Sequence, residues 1–124
     1  KNLGARKALA LNVSGAFHSP LMAPAKDDLS VIIEKTKFKK AKVPVVANVD
    51  ASPTSDPAKI KNNLIEQLEN PVLWEDTVQY MVKDGVEEIV EIGPGKVLQG
   101  LVKRIHRDMP TGGVANQEQL EVIS

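Results

Sequence analysis

The side chain best suited to acid–base chemistry at neutral pH in this sequence is His18, which stands in the segment Gly15-Ala16-Phe17-His18-Ser19-Pro20. The segment follows an alternating stretch typical of a strand, and α/β proteins place functional loops just past strand ends. Imidazole titrates near neutrality and is therefore a natural general base. The alternative is a loop histidine bonded to a nearby carbonyl group, and spacing alone favours that alternative.

A histidine base needs a nucleophile, and the serines of the chain offer no recognisable one. Ser14 and Ser19 flank His18, but no serine lies in a Gly-x-Ser-x-Gly elbow. The absence of cysteine excludes disulfides, thiolate zinc sites and cysteine nucleophiles. No spacing of His, Asp and Glu resembles a metal site, so we expect no metal. The sequence thus shows a possible base without its nucleophile.

Two further segments have a chemical and a structural interpretation. His106 lies among basic residues near the end of a predicted helix, which favours a solvated side chain that complements the helix dipole. The segment Gly93-Pro94-Gly95-Lys96 lies between a predicted strand and a predicted helix and could bind an anion at the helix N-terminus. It matches neither the Walker pattern nor the dinucleotide fingerprint, so a tight structural turn is favoured.

The composition is that of an ordinary globular domain. The chain has 124 residues, of which 42% are hydrophobic and 26% charged, with a formal net charge of zero. A neutral chain argues against nucleic acid as a partner. The apolar runs are too short to span a membrane and the N-terminus lacks a signal-peptide core, which predicts a soluble, cytoplasmic protein without a membrane partner.

The zero net charge is a cancellation between two parts of the chain. Residues 1–42 contain nine Lys and Arg against three Asp and Glu, whereas residues 43–124 contain seven against thirteen. The basic excess is concentrated in what we call the lysine cluster: Lys35, Lys37, Lys39, Lys40 and Lys42. The cluster could attract an acidic partner. The alternative, favoured by the sequence alone, is a solvated helix end.

Hydrophobic patterning predicts alternating strands and helices. Strands are predicted at residues 7–13, 43–47 and 86–92, with the middle one buried. Helices are predicted at residues 19–37, from Asp56-Pro57, from Asn70-Pro71 and at residues 96–107. The two middle helices each begin with a capping side chain followed by proline, and Gly85 ends the second of them. Residues 110–113 are predicted to be a loop and the tail from Asn116 a short helix.

This order of elements predicts an α/β fold with mainly parallel strands. Each helix carries an apolar stripe that we expect to face a core. The stripes comprise Met22, Ala25, Leu29, Ile32 and Ile33 on the first helix, Ile60, Leu64, Ile65 and Leu68 on the second, Trp74, Val78, Met81 and Val82 on the third, and Val97, Leu98, Leu101, Val102 and Ile105 on the fourth.

Four segments, read in order, resemble the C-terminal part of the malonyl-CoA:acyl-carrier-protein transacylase family of bacterial fatty-acid synthesis. They are residues 15–22, residues 43–50, residues 67–74 and residues 91–98, within a likeness that covers residues 4–107. The resemblance implies transfer of malonyl from coenzyme A to a serine, as an ester, and then to the phosphopantetheine thiol of acyl carrier protein. It implies no cofactor, because the coenzyme A thioester is the substrate.

The resemblance also assigns roles to three residues. His18 matches the family's catalytic histidine, and Gln67 matches the residue whose backbone carbonyl orients it. Phe17 matches a position that correlates with extender-unit choice in related polyketide acyltransferases, where a bulky side chain is similar to the malonyl-selective pattern. Excluding one α-methyl group by shape is worth about 1–3 kcal/mol. An acidic acyl carrier protein is the expected partner of the lysine cluster.

The family's nucleophilic serine, its malonyl-binding arginine and its oxyanion-hole glutamine all lie before the matching region. By resemblance, residues 1–13 are the end of a ferredoxin-like small subdomain and residues 14–124 the C-terminal part of an α/β-hydrolase-like large subdomain. The missing N-terminal part of the chain is then a partner, and we expect the 124 residues alone to be inactive. Two alternatives remain: an acyltransferase of a polyketide synthase, and a non-catalytic binding fragment.

Overall fold

The structure, a computed structural model, describes Gly4 and residues 15–123. The strand predicted at residues 7–13 lies outside the described residues. A 3₁₀ turn, Pro20–Met22, leads into α1, Ala23–Lys35, and β1, Val45–Val46, and β2, Pro53–Thr54, come next. The remaining elements are α2, Pro57–Glu66; α3, Trp74–Lys83; β3, Ile89–Ile92; α4, Val97–Ile105; β4, Thr111–Val114; and α5, Gln117–Ile123. The predicted α/β class is confirmed.

The described strands form two small sheets. β1 and β2 pair antiparallel, with Val45 opposite Thr54. β3 and β4 pair parallel from Ile89 opposite Thr111 to Ile92 opposite Val114. The connection between β3 and β4 is α4, which is the right kind of crossover for a parallel pair. The expectation of mainly parallel strands therefore holds for one of the two described pairs.

The buried core lies where α3 and α4 pack together. Val78 and Val102 are completely buried, and Met109, just beyond α4, is nearly so. Burying a side chain of this size contributes about 1.5–3 kcal/mol. The partly buried side chains packed around them are the rest of the predicted α3 stripe, Trp74, Met81 and Val82, together with Ile105 of α4 and Ile89 of β3.

The sequence signals for helix boundaries are partly right. Asp56 caps α2, because its carboxylate accepts hydrogen bonds from the Ala58 and Lys59 N–H groups. Gly85 follows α3 with φ of 86°, the left-handed conformation expected of a glycine stop. The predicted start at Asn70-Pro71 is wrong: α3 begins at Trp74, and the Asn70 amide instead donates to the Glu66 carbonyl at the end of α2. The Asn70 side chain could cap the following helix or bond the end of the preceding one, and in the structure it bonds the end of α2.

The predicted loop at residues 110–113 is also wrong, because Thr111–Val114 is β4. Its two glycines are poor strand formers, but the parallel ladder with β3 supplies the hydrogen bonds. A Cβ atom on Gly113 would lie 2.5 Å from Nε2 of Gln99. Glycine at this position thus lets the end of the Gln99 side chain of α4 lie close to the strand backbone, and a larger residue would require that side-chain end to move.

Many apolar side chains that the pattern assigned to a core are exposed. Ile32 of α1, Ile92 of β3 and Val97 of α4 are 64%, 80% and 70% exposed. The buried strand predicted at 43–47 is reduced to two residues, and Val43 and Val45 are exposed. None of the described residues covers these side chains. Exposed apolar surface of this extent is typical of a face that another polypeptide segment covers.

The described residues contain no helix long and apolar enough to cross a membrane.

Candidate functional site

The loop before α1 is shaped by Ser19 and presents His18. The Ser19 hydroxyl donates to the Ala16 carbonyl at 2.7 Å and accepts from the Leu21 N–H, so it closes the loop and caps the 3₁₀ turn. His18 has φ of 61°, in the left-handed region. Few residues other than glycine adopt that conformation, and where they do the surrounding contacts must maintain it.

Two backbone carbonyls just beyond α2 supply those contacts. The His18 N–H donates to the Leu68 carbonyl at 3.0 Å, and Nδ1 of the imidazole lies 2.8 Å from the Gln67 carbonyl oxygen. Both acceptors are free of helical partners because α2 ends at Glu66, and the last carbonyls of a helix lack intrahelical donors. The structure thus brings together His18 and Gln67, which are 49 residues apart in sequence.

The contact with Gln67 determines which ring nitrogen carries the proton. A carbonyl oxygen only accepts hydrogen bonds, so Nδ1 must donate and the neutral ring has its lone pair on Nε2. His18 is exposed, and no serine hydroxyl among the described residues bonds to its ring. The arrangement is an oriented imidazole whose Nε2 is open to a group supplied from elsewhere.

Phe17 lies next to His18 in the same loop. Its side chain is 57% exposed, and its ring packs over Gly15, where a Cβ atom would come within 3.1 Å of the ring. Gly15 therefore allows the ring to lie against the loop backbone.

The lysine cluster is not part of this loop. Its five members lie at the end of α1 and in the segment that follows, and all are exposed. None of them forms an ion pair with another residue in the described part of the chain. His18 precedes the other end of α1, and thirteen helical residues span about 20 Å. The structure therefore separates the cluster from the histidine by roughly the length of one helix.

At the turn of residues 93–96, the N-terminus of α4 is already bonded to a side chain of the protein itself. The Glu91 carboxylate accepts hydrogen bonds from the Leu98 and Gln99 N–H groups and from the Gln99 amide at the start of α4. Partial burial works to raise the pKa of Glu91, but these hydrogen bonds outweigh it and lower that pKa. An acidic side chain already fills the position where an anion would bind, which agrees with the structural-turn interpretation.

The expectation for His106 is only partly right. Its N–H donates to the Val102 carbonyl at the end of α4, but its ring is half-buried rather than solvated. Nδ1 is buried and has no hydrogen-bond partner among the described residues. His106 is the C-cap of α4 and has an extended backbone, so it lies past the helical face, and its carbonyl accepts from the Met109 N–H. Within the described residues, no group of three or more His, Cys, Asp or Glu is placed to hold a metal ion.

Sequence patterning did not identify several residues that build the site. Leu68 contributes only a carbonyl oxygen, and backbone acceptors carry no sequence signal. Lys26 of α1 forms ion pairs with Glu66 and Glu69, on either side of the Gln67–Leu68 pair. Those partners are about 40 residues away in sequence, so no local spacing rule relates them to Lys26.

Comparison with known proteins gives a consistent result. No protein-family model matches the chain. The chain is 44% identical over 122 residues to the malonyl CoA-acyl carrier protein transacylase of Bacillus subtilis, and 40% identical over 121 residues to that of Staphylococcus aureus. Each match covers 98% of the chain but only 38% and 39% of the relative. The chain therefore spans about two fifths of the length of the curated relatives it matches.

Solved structures lead to the same group. An acyl carrier protein S-malonyltransferase from Vibrio cholerae superposes with a TM-score of 0.88 at 41% identity, over 99% of this chain and 40% of that one. A malonyl-transacylase solved in complex with a type II PKS acyl-carrier protein gives 0.86 at 40% identity, over 98% and 39%. By sequence and by fold, this chain is a homologue of the C-terminal portion of the malonyl CoA-acyl carrier protein transacylases.

Proposed function

We propose that this chain supplies the catalytic histidine of an enzyme that transfers malonyl from malonyl-CoA to the phosphopantetheine thiol of acyl carrier protein. The observation that carries the proposal is the hydrogen bond from Nδ1 of His18 to the Gln67 carbonyl, 2.8 Å long. It leaves Nε2 as the basic nitrogen at an exposed position. The names of the relatives supply the reaction and the substrates.

The proposed chemistry proceeds in two halves. Nε2 of His18 accepts the hydroxyl proton of a serine as the serine oxygen attacks the malonyl thioester carbonyl, and the imidazolium then returns the proton to the departing coenzyme A thiolate. In the second half His18 takes the proton of the phosphopantetheine thiol, whose sulfur displaces the serine, and gives the proton back to the serine oxygen. The serine, the oxyanion donors and the arginine for the malonyl carboxylate come from the N-terminal part of the polypeptide. No cofactor is needed, because the thioester is already activated.

The proposed domain assignment follows from the same likeness. Residues 1–13 end a ferredoxin-like small subdomain, and residues 14–124 are the last part of an α/β-hydrolase-like large subdomain in a cytoplasmic enzyme. Support comes from the coverage of the relatives, which leaves about three fifths of their length unmatched. The exposed apolar side chains of β3 and α4 supply the surface that the N-terminal part would cover.

Phe17 is proposed to contribute to substrate choice. Its ring is exposed beside the histidine that acts on the acyl group, so it would contact the substrate's α-carbon side. A bulky ring there would disfavour an α-methyl substituent by about 1–3 kcal/mol. The role adds selectivity for malonyl and no chemistry.

The reaction is tested by covalent labelling. The full polypeptide that carries this sequence, incubated with radiolabelled malonyl-CoA, is expected to form a malonyl-serine ester and to pass the label to acyl carrier protein. The 124-residue chain alone is expected to take up no label, because its serines do not contact Nε2 of His18 in the described part. A stable ester on Ser14 or Ser19 would contradict the assignment, and a full polypeptide that takes up no label would favour a binding fragment.

The lysine cluster is proposed to receive the acidic acyl carrier protein. Changing all five lysines to glutamine is expected to raise the KM for acyl carrier protein about tenfold and leave the KM for malonyl-CoA unchanged, because exposed charges act on protein encounter. Steady-state kinetics at low and at physiological salt measures this, and the difference should shrink with added salt. A control changes three exposed cations elsewhere: Lys83, Arg104 and Arg107. An equal KM change in the control would remove the assignment.

A second candidate is an acyltransferase that serves a polyketide synthase. The solved complex of a malonyl-transacylase with a type II PKS acyl-carrier protein favours it specifically. The two candidates share the chemistry and differ in the carrier protein. Parallel transfer assays with a fatty-acid carrier and a polyketide carrier would separate them by kcat/KM.

A further inference from the structure

Lys26 connects the helix that follows His18 with the helix end that orients it. Its ammonium nitrogen lies 3.1 Å from Oε1 of Glu66 and 2.7 Å from Oε2 of Glu69. The Lys26 side chain is only 21% exposed. One cation from α1 therefore bridges two anions at the end of α2 in a partly shielded position.

The two carboxylates flank the residues that hold the imidazole. Glu66 and Glu69 stand immediately before and after the Gln67–Leu68 pair, whose carbonyls accept from Nδ1 and N–H of His18. His18 itself lies eight residues before Lys26, in the turn that precedes the 3₁₀ helix and α1. These contacts therefore connect Lys26 to His18 in two ways: along the chain through the start of α1, and through the two glutamates and the two carbonyls between them.

The charge of Lys26 stabilises the turn that contains Gln67 and Leu68. Glu66 and Glu69 are three residues apart in a turn closed by a 3.3 Å bond from the Glu69 N–H to the Glu66 carbonyl. Like charges at this spacing repel, so a cation between them favours the closed turn. The same charges raise the pKa of Lys26, through its hydrogen bonds to Glu69 and then Glu66. Opening the turn would move the Gln67 carbonyl away from Nδ1.

From these contacts we infer that Lys26 is a positioning residue for His18. It holds closed the turn that carries the Gln67 and Leu68 carbonyls, and this keeps the proton on Nδ1 of His18 and the lone pair on Nε2. The inference rests on the proposed function for its kinetic consequence, but the tautomer of His18 is a separate observable. Lys26 does not contact the reacting atoms. It acts through the geometry of the turn.

The chain offers a matched control for this inference. Lys61 of α2 pairs with Glu34 of α1 at 2.6 Å, so it joins the same two helices by the same kind of ion pair. Its side chain is 23% exposed, close to the value for Lys26. Glu34 lies near the end of α1 and Lys61 in the middle of α2, so neither residue flanks the carbonyls that hold His18. A general loss of helix docking would affect both variants alike.

The experiment compares Lys26→Met, Lys26→Arg and Lys61→Met in the full polypeptide that carries this sequence. Ring-nitrogen NMR of His18 reports which nitrogen is protonated, and malonyl transfer assays give kcat and KM. We expect Lys26→Met to increase the fraction of ring protonated on Nε2 and to lower kcat about tenfold, with the KM for malonyl-CoA within about twofold. Lys26→Arg should retain the wild-type tautomer and most of the activity, and Lys61→Met should resemble the wild type in both measurements.

Each outcome bears on the inference. Unchanged His18 ring signals in Lys26→Met overturn it, and so does an equal change in Lys61→Met. If Lys26→Met does not fold, Lys26→Gln removes the ammonium charge, leaves both carboxylates in place, and should shift the ring signals in the same direction; unchanged signals there overturn the inference as well. Failure of the proposed function would appear differently. His18→Ala would then transfer malonyl as well as the wild type, while the His18 ring signals would still change in Lys26→Met.

Discussion

Replacing His18 with alanine in the full polypeptide is expected to lower the rate of malonyl transfer about 10³-fold, the loss typical of a general base. The reason is local: Nδ1 donates to the Gln67 carbonyl, so Nε2 is the ring nitrogen with a lone pair free to accept a proton. The side chain is exposed and contributes one hydrogen bond, so the free energy of unfolding should change by only about 1 kcal/mol. Transfer of labelled malonyl to acyl carrier protein, together with thermal unfolding, measures both quantities.

Two control variants separate the base from its surroundings. Gln67→Ala should keep the transfer rate within about twofold, since the backbone carbonyl and not the side chain accepts from Nδ1. His106→Ala removes the other histidine of the chain, which lies beyond α4, and should also leave kcat near the wild-type value. Near-normal transfer by His18→Ala would refute the assignment of His18 as the base. A comparable loss of transfer in His106→Ala would show that the loss is not specific to His18, and would contradict the assignment as well.

Local signals in the sequence predict much of the fold and only one half of the site. The cap at Asp56, the glycine stop at Gly85 and the buried stripe of α3 depend on residues a few positions apart, and all three agree with the structure. The pairing of β4 with β3 depends on a ladder across 22 residues, and the Gly112-Gly113 pair conceals it because glycine disfavours strands.

The site illustrates the same limit more clearly. The type and position of His18 mark it as a candidate base, but residue patterns alone leave a structural histidine bonded to a carbonyl as the favoured alternative. The structure contains that bond, to Gln67. A bond to a carbonyl and a role as base are compatible, because orienting Nδ1 is what exposes Nε2. Only the family resemblance suggests Gln67, since its side chain takes no part in the contact.

The exposed apolar residues have a different cause. Hydrophobic spacing identifies which side of α1 or α4 is apolar, but not whether the described chain covers it. Ile32 and Val97 lie on predicted stripes and are exposed, whereas Val102 on the same stripe as Val97 is fully buried. Whether an apolar stripe is buried depends on which other part of the polypeptide packs against it, and the spacing of apolar residues within one helix does not predict that.

Replacing Asp50 with alanine is expected to lower the free energy of unfolding at neutral pH by about 2 kcal/mol, the largest stability effect we predict for a single side chain of this chain. Oδ1 of Asp50 accepts from the Ser52 N–H and closes the turn before β2. Oδ2 accepts from the Asn63 amide of α2 at 3.1 Å and pairs with Lys59 at the same distance. Asn63 is only 6% exposed, so losing its acceptor leaves a buried amide without a partner. Urea unfolding of the full polypeptide measures the change.

The pH dependence of the Asp50 contribution provides its sharpest test. Burial acts to raise the pKa of Asp50, but the hydrogen bonds from Lys59, Ser52 and Asn63 outweigh it, so the folded pKa lies below the ordinary 3.8. A lowered folded pKa means that this ionic contribution is fully present above pH 3.8 and is lost as the pH falls through the folded value. The stability difference between wild type and Asp50→Ala should therefore narrow below pH 3.8. Asp28→Ala, an exposed position on α1, should stay within about 0.5 kcal/mol of the wild type at neutral pH. A difference that is constant with pH, or an equal loss in Asp28→Ala, would show that the contacts of Asp50 with α2 do not stabilise the fold in the way the structure indicates.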